Sequence, residues 1–170
     1  IEYSPNLPWK GKIPMAAMLR DRLGLAVALG NDAHVRALGE HVYGSAHGMK
    51  DFIVVNLGHG VGSCIFCNGQ AYLGAEGFAG EIGHFPTHVG GQSADDGGRG
   101  IYFENNASAA ALIREAVKVN SEWDSGRKLF KVAATGNEAA LGLIDSWLDE
   151  LTYGITGLIH VLNPEIVIIG

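Results

Sequence analysis

The sequence has 170 residues, of which 47% are hydrophobic and 25 are glycine, enough for one domain or two lobes of a larger one. The formal net charge of −6 argues against direct nucleic-acid binding, because phosphate binding needs a surplus of Lys and Arg. No apolar run reaches about 18 residues and no signal peptide is visible, so we expect a cytoplasmic protein without a membrane span. The first residue is Ile1 rather than methionine, which suggests a fragment.

The apolar patterns predict an α/β domain in which helices alternate with strands. Helices are predicted over residues 14–23, 31–43, 105–120 and 137–162, with a short helical turn at 128–133. Strands are predicted at 25–29, 52–57, 64–67, 70–73 and 165–169, and Asn68-Gly69 is the signal of a hairpin. Alternation of strands and helices, together with one hairpin, indicates a mixed sheet.

The stretch from Ala75 to His84 carries the clearest chemical signal. It holds a carboxylate, Glu81, three residues before the imidazole of His84, among Gly, Ala and one aromatic residue. Glycines let a ligand approach the backbone, and these side chains supply the acceptor and donor that a polyhydroxylated ligand needs. The plain alternative is a glycine-rich turn with two solvated polar side chains.

Two further segments allow both a structural and a functional interpretation. Asn31-Asp32 follows a predicted strand and opens a helix, so it suits a helix cap and equally a general base at the ligand-binding end of a sheet. Gly58-His59-Gly60-Val61-Gly62 is either a glycine-rich hairpin or a cradle of backbone N–H groups for a phosphate. It lacks the Gly-Lys-Ser/Thr of a P-loop.

Metal binding has little support in the sequence. His84, His88 and the Asp95-Asp96 pair are suitable ligand types, but their spacing matches no closed set. Cys64 and Cys67 lie three residues apart in a predicted strand and so point to opposite faces. We therefore expect two buried thiols in a reducing compartment, and neither a disulfide nor a metal pair.

Six motifs follow one another in a fixed order along the chain. They are Asn31-Asp32-Ala33 with Ala37-Leu38-Gly39-Glu40, Gly58-x-Gly60-x-Gly62, Gly77-x-Ala79-Gly80-Glu81-Ile82-Gly83-His84, Gly97-Gly98-Arg99-Gly100, Glu104-x-x-Ala107-Ser108 and Leu162-Asn163-Pro164-Glu165-Ile166-Val167-Ile168-Ile169-Gly170. With the opening Tyr3-Ser4-Pro5-Asn6-Leu7-Pro8-Trp9, they resemble the ROK family over essentially the whole chain. That family joins bacterial sugar kinases (glucokinase, fructokinase, N-acetylmannosamine kinase) and sugar-responsive transcription repressors.

The resemblance implies an actin-like, ribonuclease-H-like fold of two lobes with a sugar in the cleft. Residues 1–31 would end the small N-terminal lobe, and residues 32–170 would form the large lobe. The general base of the kinases matches Asp32. The glycine turn matches the second phosphate loop, with the cofactor-binding positions Gly58, His59, Gly60 and Gly62. The residues matched to sugar contacts are Asn31, Asp32, Glu81, His84 and Glu104.

The chain departs from the family pattern at three places that bear on its chemistry. The family's zinc motif is Cys-x-Cys-Gly-x-x-Gly-Cys, completed by His84, but the cysteine positions read Ala94, Asp96 and Ile101. The stretch from residue 100 to 104 is one residue longer than the family pattern. In the kinases the glycine turn usually reads Gly-Thr-Gly, and His59 replaces the small hydroxyl.

The resemblance allows three interpretations, two of which assign the chain a function and one of which does not. The first is the sugar-sensing domain of a homodimeric regulator, which binds a sugar or sugar phosphate and reaches DNA only through a domain outside this sequence. The alternative is a sugar kinase that uses ATP and Mg²⁺, with Asp32 as its general base. The third is a truncated core. The fragment itself is expected to hold no cofactor, because the family's first nucleotide loop would precede Ile1, as would the helix-turn-helix of the repressors. No membrane contact is expected, because no apolar run is long enough to span a bilayer.

We predict that the protein binds no stoichiometric zinc, because three thiolates of a closed tetrahedral site are absent from the sequence. Elemental analysis of protein purified without added metal should find far less than one zinc atom per chain. A full equivalent that a chelator removes with loss of structure would contradict this prediction.

Overall fold

A computed structural model of the chain describes residues 11–88 and 101–170. The chain divides into two compact units, Ile1–Asp32 and Ala33–Gly170. Their assignment to the small and large lobes stays a prediction. The opening Tyr3–Trp9 motif and the motif Gly97–Gly100 lie outside the described residues.

The first unit contains helix α1, Met15–Leu23, in agreement with the predicted helix. The prediction of a buried strand at residues 25–29 was wrong. Leu25 and Leu29 are exposed, and none of the described strands pairs with this segment. A strand needs a neighbour for its backbone N–H and C=O groups, so an apolar run alone does not make one.

The second unit is built on a four-stranded mixed sheet in the order β3-β2-β1-β4. Strand β1 pairs antiparallel with β2 and parallel with β4, and its first four residues are fully buried. The strands are β1 Phe52–Leu57, β2 Val61–Cys67, β3 Gln70–Ala71 and β4 Ile166–Ile169. Strand β2 thus begins earlier than predicted, and β3 is shorter.

Helices cover both faces of this sheet. The remaining helices are α2 Asp32–Tyr43, α3 Phe103–Ala107, α4 Ala109–Val119, α5 Gly126–Ala133 and α6 Glu138–Leu162. Helix α2 packs Ala33 and Ala37 against one face of the sheet, while α3 and α6 pack Phe103 and Leu151 against the other. No described helix is long and apolar enough to cross a membrane.

The helix predicted over residues 105–120 is two helices, because the backbone of Ser108 is extended, with φ −68° and ψ 157°. The side chain of Ser108 accepts a hydrogen bond from the Ala111 N–H and so caps α4. Ser108 is therefore a break between α3 and α4, so the axis of α3 need not continue that of α4.

The two cysteines point to opposite faces of β2, as predicted, and both are free thiols. Burial raises the pKa of the Cys64 thiol to about 11. Cys67 is exposed, so the prediction of a second buried thiol was wrong. The strand ends at Cys67, where the hairpin turn leaves its side chain in solvent.

Helix α6 provides a matched test of the packing around α3. A Cβ at Gly154 would enter the space of the fully buried Phe103 ring, so we expect Gly154→Ala to destabilise the fold by about 1–3 kcal/mol. Gly157→Ala is the control on the same helix, since no described atom lies within 4 Å of its added Cβ. Helix propensity should make that substitution neutral or stabilising by up to about 1 kcal/mol. Urea unfolding of both variants checks the pair, and equal effects would contradict this packing.

Candidate functional site

The segment that carries Glu81 and His84 is anchored to the core by the two residues that separate them. Residues Ile82–His84 form a single 3-10 turn after β3, with Ile82 and Gly83 buried. The Ser63 hydroxyl of β2 donates to the Gly80 carbonyl and fixes the approach to this turn. Glu81 and His84 are exposed on either side of the buried pair. The local sequence therefore holds the turn by its apolar centre and leaves its two polar side chains open to a ligand.

The carboxylate of Glu104, on α3, lies where two glycines leave room for it. A Cβ at Gly60 would collide with Glu104 Oε2, and a Cβ at Gly83 would lie 3.2 Å from the same oxygen. The other oxygen, Oε1, lies 3.7 Å from His84 Nδ1. Glu104 thus contacts both the glycine turn after β1 and the 3-10 turn. This contact brings together three sequence-predicted segments, those of Gly58–Gly62, Glu81–His84 and Glu104.

The pair of Glu104 and His84 is open enough to receive a ligand. The side chain of Glu104 is 28% exposed and that of His84 is 65% exposed. A separation of 3.7 Å is too long for a hydrogen bond, so both groups keep hydrogen-bonding capacity towards a ligand. The His84 ring meets the Tyr102 ring edge-on, with centroids 6.3 Å apart. A carboxylate beside an imidazole can accept and donate hydrogen bonds to neighbouring hydroxyl groups.

The glycine turn is held from two sides. Within the turn, the Gly58 N–H donates to the Gly60 carbonyl at 3.0 Å. From outside, the Ala110 N–H in the first turn of α4 donates to the Gly58 carbonyl at 3.1 Å. First-turn N–H groups have no partner within their own helix, so this bond satisfies one of them. His59, at the tip, is exposed.

Asn31 and Asp32 belong to the first unit, and Asp32 is the first residue of α2. Both are exposed. That they share a sugar site with Glu81, His84 and Glu104 stays a prediction.

The described residues contain no group of three or more His, Cys, Asp or Glu side chains that could hold a metal ion. Of the positions matched to the family's zinc cysteines, Ile101 accepts a hydrogen bond through its carbonyl from the Thr87 N–H at 2.9 Å. Ala94 and the Asp95-Asp96 pair lie outside the described residues. His88, considered as a metal ligand, instead lies 3.5 Å through Nε2 from Glu150 Oε1.

The contact between His88 and Glu150 was missed by sequence reasoning. Glu150 is only 7% exposed, on the packed face of α6, and the Asn106 side-chain amide lies 3.3 Å from His88 Nδ1. A signal existed, since Glu150 falls at helical spacing between Trp147 and Gly154, which both pack inward. This cluster ties His88, four residues beyond the 3-10 turn, to α3 and α6.

The glycine turn offers a matched pair of substitutions that tests the placement of Glu104. Gly60→Ala should displace the Glu104 carboxylate with little loss of stability, because that group ends a flexible side chain. Gly58→Ala is the control, since no described atom lies within 4 Å of its added Cβ. The His84 imidazole resonances should shift in Gly60→Ala and stay in place in Gly58→Ala. Equal shifts in both variants would contradict the contact.

Comparison with known proteins identifies the family. The sequence profile of the ROK family matches residues 1–170. A glucokinase from Thermotoga maritima is 33% identical over 100% of this chain and 58% of its own length. A xylose repressor from Caldicellulosiruptor bescii is 30% identical over 98% of this chain and 45% of its own length.

Solved structures agree with this assignment. A ROK family glucokinase from Streptomyces griseus, in complex with glucose and AMPPNP, has a TM-score of 0.84 at 25% identity, covering 99% of this chain and 59% of that one. The chain spans about half the length of the relatives it matches. Its mixed sheet and flanking helices have the actin-like fold of these proteins. The chain belongs to the ROK family.

Proposed function

We propose that this chain is the sugar-binding part of a ROK transcription regulator of carbohydrate metabolism, with a sugar or sugar phosphate as its effector. The observation that carries the proposal is the position of Glu104, which contacts Gly60 and Gly83 and lies 3.7 Å from His84 Nδ1. Glu104 and His84 are matched to the family's sugar contacts, and Gly60 belongs to the turn matched to its second phosphate loop. The homodimer and the DNA contact, made through a domain outside this sequence, are parts of the same proposal.

The chemistry of the three side chains suits a sugar. Glu81 and Glu104 accept hydrogen bonds from hydroxyl groups, and His84 donates or accepts according to its tautomer. Hydrogen bonds that involve a charged group contribute about 1.5–3 kcal/mol each, so two or three of them give a small polar ligand useful affinity. Glu104 is the most enclosed of the three, and we assign it the role of fixing the orientation of the ring.

The position of the glycine turn supports a sensing role. A sugar held by Glu104 would act on a side chain that touches Gly60, and the same turn receives the Ala110 N–H from α4. A ligand that favours one conformation of the Glu104 side chain therefore also favours one conformation of the Gly58–Gly62 turn. Through the Ala110 N–H it also favours one position of the start of α4. The exposed His59, where the kinases usually have a small hydroxyl, also favours the regulator.

A sugar kinase is the second candidate, and Asp32 is the observation that favours it. The carboxylate is present at the start of α2 and exposed, as a general base that takes a proton from a sugar hydroxyl requires. ATP and Mg²⁺ would supply the phosphoryl group and neutralise its charge. The relatives include both glucokinases and xylose repressors, in accord with either candidate.

Calorimetric titration of the full-length parent protein with D-glucose, D-xylose and N-acetylglucosamine tests sugar binding. For the sugar that binds, Glu81→Ala should weaken the affinity roughly ten- to a hundredfold, from the loss of one charged hydrogen bond. Glu76→Ala is the control, because Glu76 is an exposed carboxylate of the same segment outside the matched positions. Unchanged affinity in Glu81→Ala would remove Glu81 from the site.

An ADP-coupled assay of the same parent with ATP, Mg²⁺ and these sugars separates the two candidates. We expect no turnover above the blank. If the parent turns over and its Asp32→Asn variant does not, the kinase replaces the regulator.

A further inference from the structure

Tyr102 lies immediately before α3, in the stretch from residue 100 to 104 that is one residue longer than the family pattern. Its side chain is 43% exposed, although the next residue, Phe103, is fully buried. The Tyr102 ring therefore contributes little to the core. Neither the sequence motifs nor the proposed sugar contacts assign this residue a role.

The backbone of Tyr102 is fixed to the segment that follows the 3-10 turn. Tyr102 forms an isolated antiparallel bridge with Pro86. Two backbone hydrogen bonds flank the bridge: they run from the Phe103 N–H to the Phe85 carbonyl, at 3.0 Å, and from the Thr87 N–H to the Ile101 carbonyl, at 2.9 Å. These contacts hold the start of the Tyr102 side chain close to the turn that carries His84.

The two rings then meet at the surface. The Tyr102 ring lies edge-on to the His84 ring, with centroids 6.3 Å apart and planes at 87°, an arrangement that aromatic pairs prefer. The His84 side chain is 65% exposed, so without a neighbour its imidazole would turn between rotamers. The ring contact therefore favours one orientation of the imidazole, in which Nδ1 lies 3.7 Å from Glu104.

The sequence does not supply the metal site that would otherwise orient this imidazole. A coordination bond fixes the direction of a histidine ring that binds a metal ion. The family's three zinc cysteines are replaced by Ala94, Asp96 and Ile101, so a closed zinc site does not fit these residues. His84 must therefore take its orientation from protein groups.

We propose that Tyr102 is a positioning residue of the sugar site, whose ring holds the His84 imidazole in the orientation that binds a sugar hydroxyl. The proposal rests on the proposed function for the ligand, and on the ring contact for the orientation of His84. An imidazole that is already oriented loses less freedom when a ligand binds, so Tyr102 raises the affinity without touching the sugar. Because the orientation depends on the ring and not on its hydroxyl group, Tyr102→Phe preserves it.

A double-mutant cycle on the full-length parent protein tests this role, by calorimetric titration with whichever of D-glucose, D-xylose and N-acetylglucosamine binds. Tyr102→Ala should weaken binding roughly three- to tenfold, while Tyr102→Phe stays close to the parent. In a His84→Gln background, Tyr102→Ala should have no further effect, because Tyr102 acts through the imidazole. Tyr153→Ala is the control, since Tyr153 is an exposed tyrosine of α6.

NMR of the sugar-free parent tests the ring contact itself. The His84 ring-proton resonances, assigned by their loss in His84→Gln, should shift in Tyr102→Ala and change little in Tyr102→Phe and Tyr153→Ala. Unshifted resonances in Tyr102→Ala, or an equal loss of affinity with and without the imidazole, would overturn the proposal. Failure of the parent to bind any of the three sugars would overturn the proposed function and the effect of Tyr102 on affinity, whereas the shift separately decides whether its ring orients His84.

Discussion

The carboxylate of Glu104 fits against two turns that have no side chain at the point of contact, Gly60 and Gly83. Its backbone is fixed by its neighbour Phe103, whose fully buried ring packs against Gly154 of α6. The placement of one polar group thus depends on close packing at three glycines, of which Gly83 and Gly154 are buried and Gly60 is partly exposed. Protein interiors are packed densely enough that such contacts transmit small displacements.

The junction of α3 and α4 connects this carboxylate to the rest of the unit. The Trp147 indole N–H on α6 donates to the carbonyls of Ala107 and Ser108, at 2.9 and 3.1 Å, and so satisfies groups that the end of α3 leaves free. Beyond the break, α4 holds the glycine turn through Ala110. Glu104, the glycine turn and α6 are therefore linked through one short stretch of backbone, from residue 104 to residue 110.

Most of the sheet could be predicted from the sequence, because its central strands are short apolar runs bounded by turn residues. Strand β1 has the predicted bounds, and the Asn68-Gly69 hairpin is present. The predicted strand at 25–29 has the same apolar character and fails, since pairing depends on partners that a local pattern does not reveal. The break at Ser108 also went unseen, although a serine that caps the following helix was a readable signal.

The chemistry of the candidate site was predictable in kind and not in arrangement. The Glu81 and His84 spacing and the family resemblance predict residue types that suit a sugar, and their role in sugar binding stays a prediction. The contact of Glu104 with Gly60, and the burial of Glu150 beside His88, join residues far apart in sequence and so need the tertiary structure.

The most direct measurement is a crystal structure of the full-length protein with a sugar bound. One sugar hydroxyl should lie within hydrogen-bond distance of the Glu104 carboxylate and another within reach of the His84 imidazole, with Glu104 still in contact with Gly60 and Gly83. A sugar bound without any contact to Glu104 would contradict it.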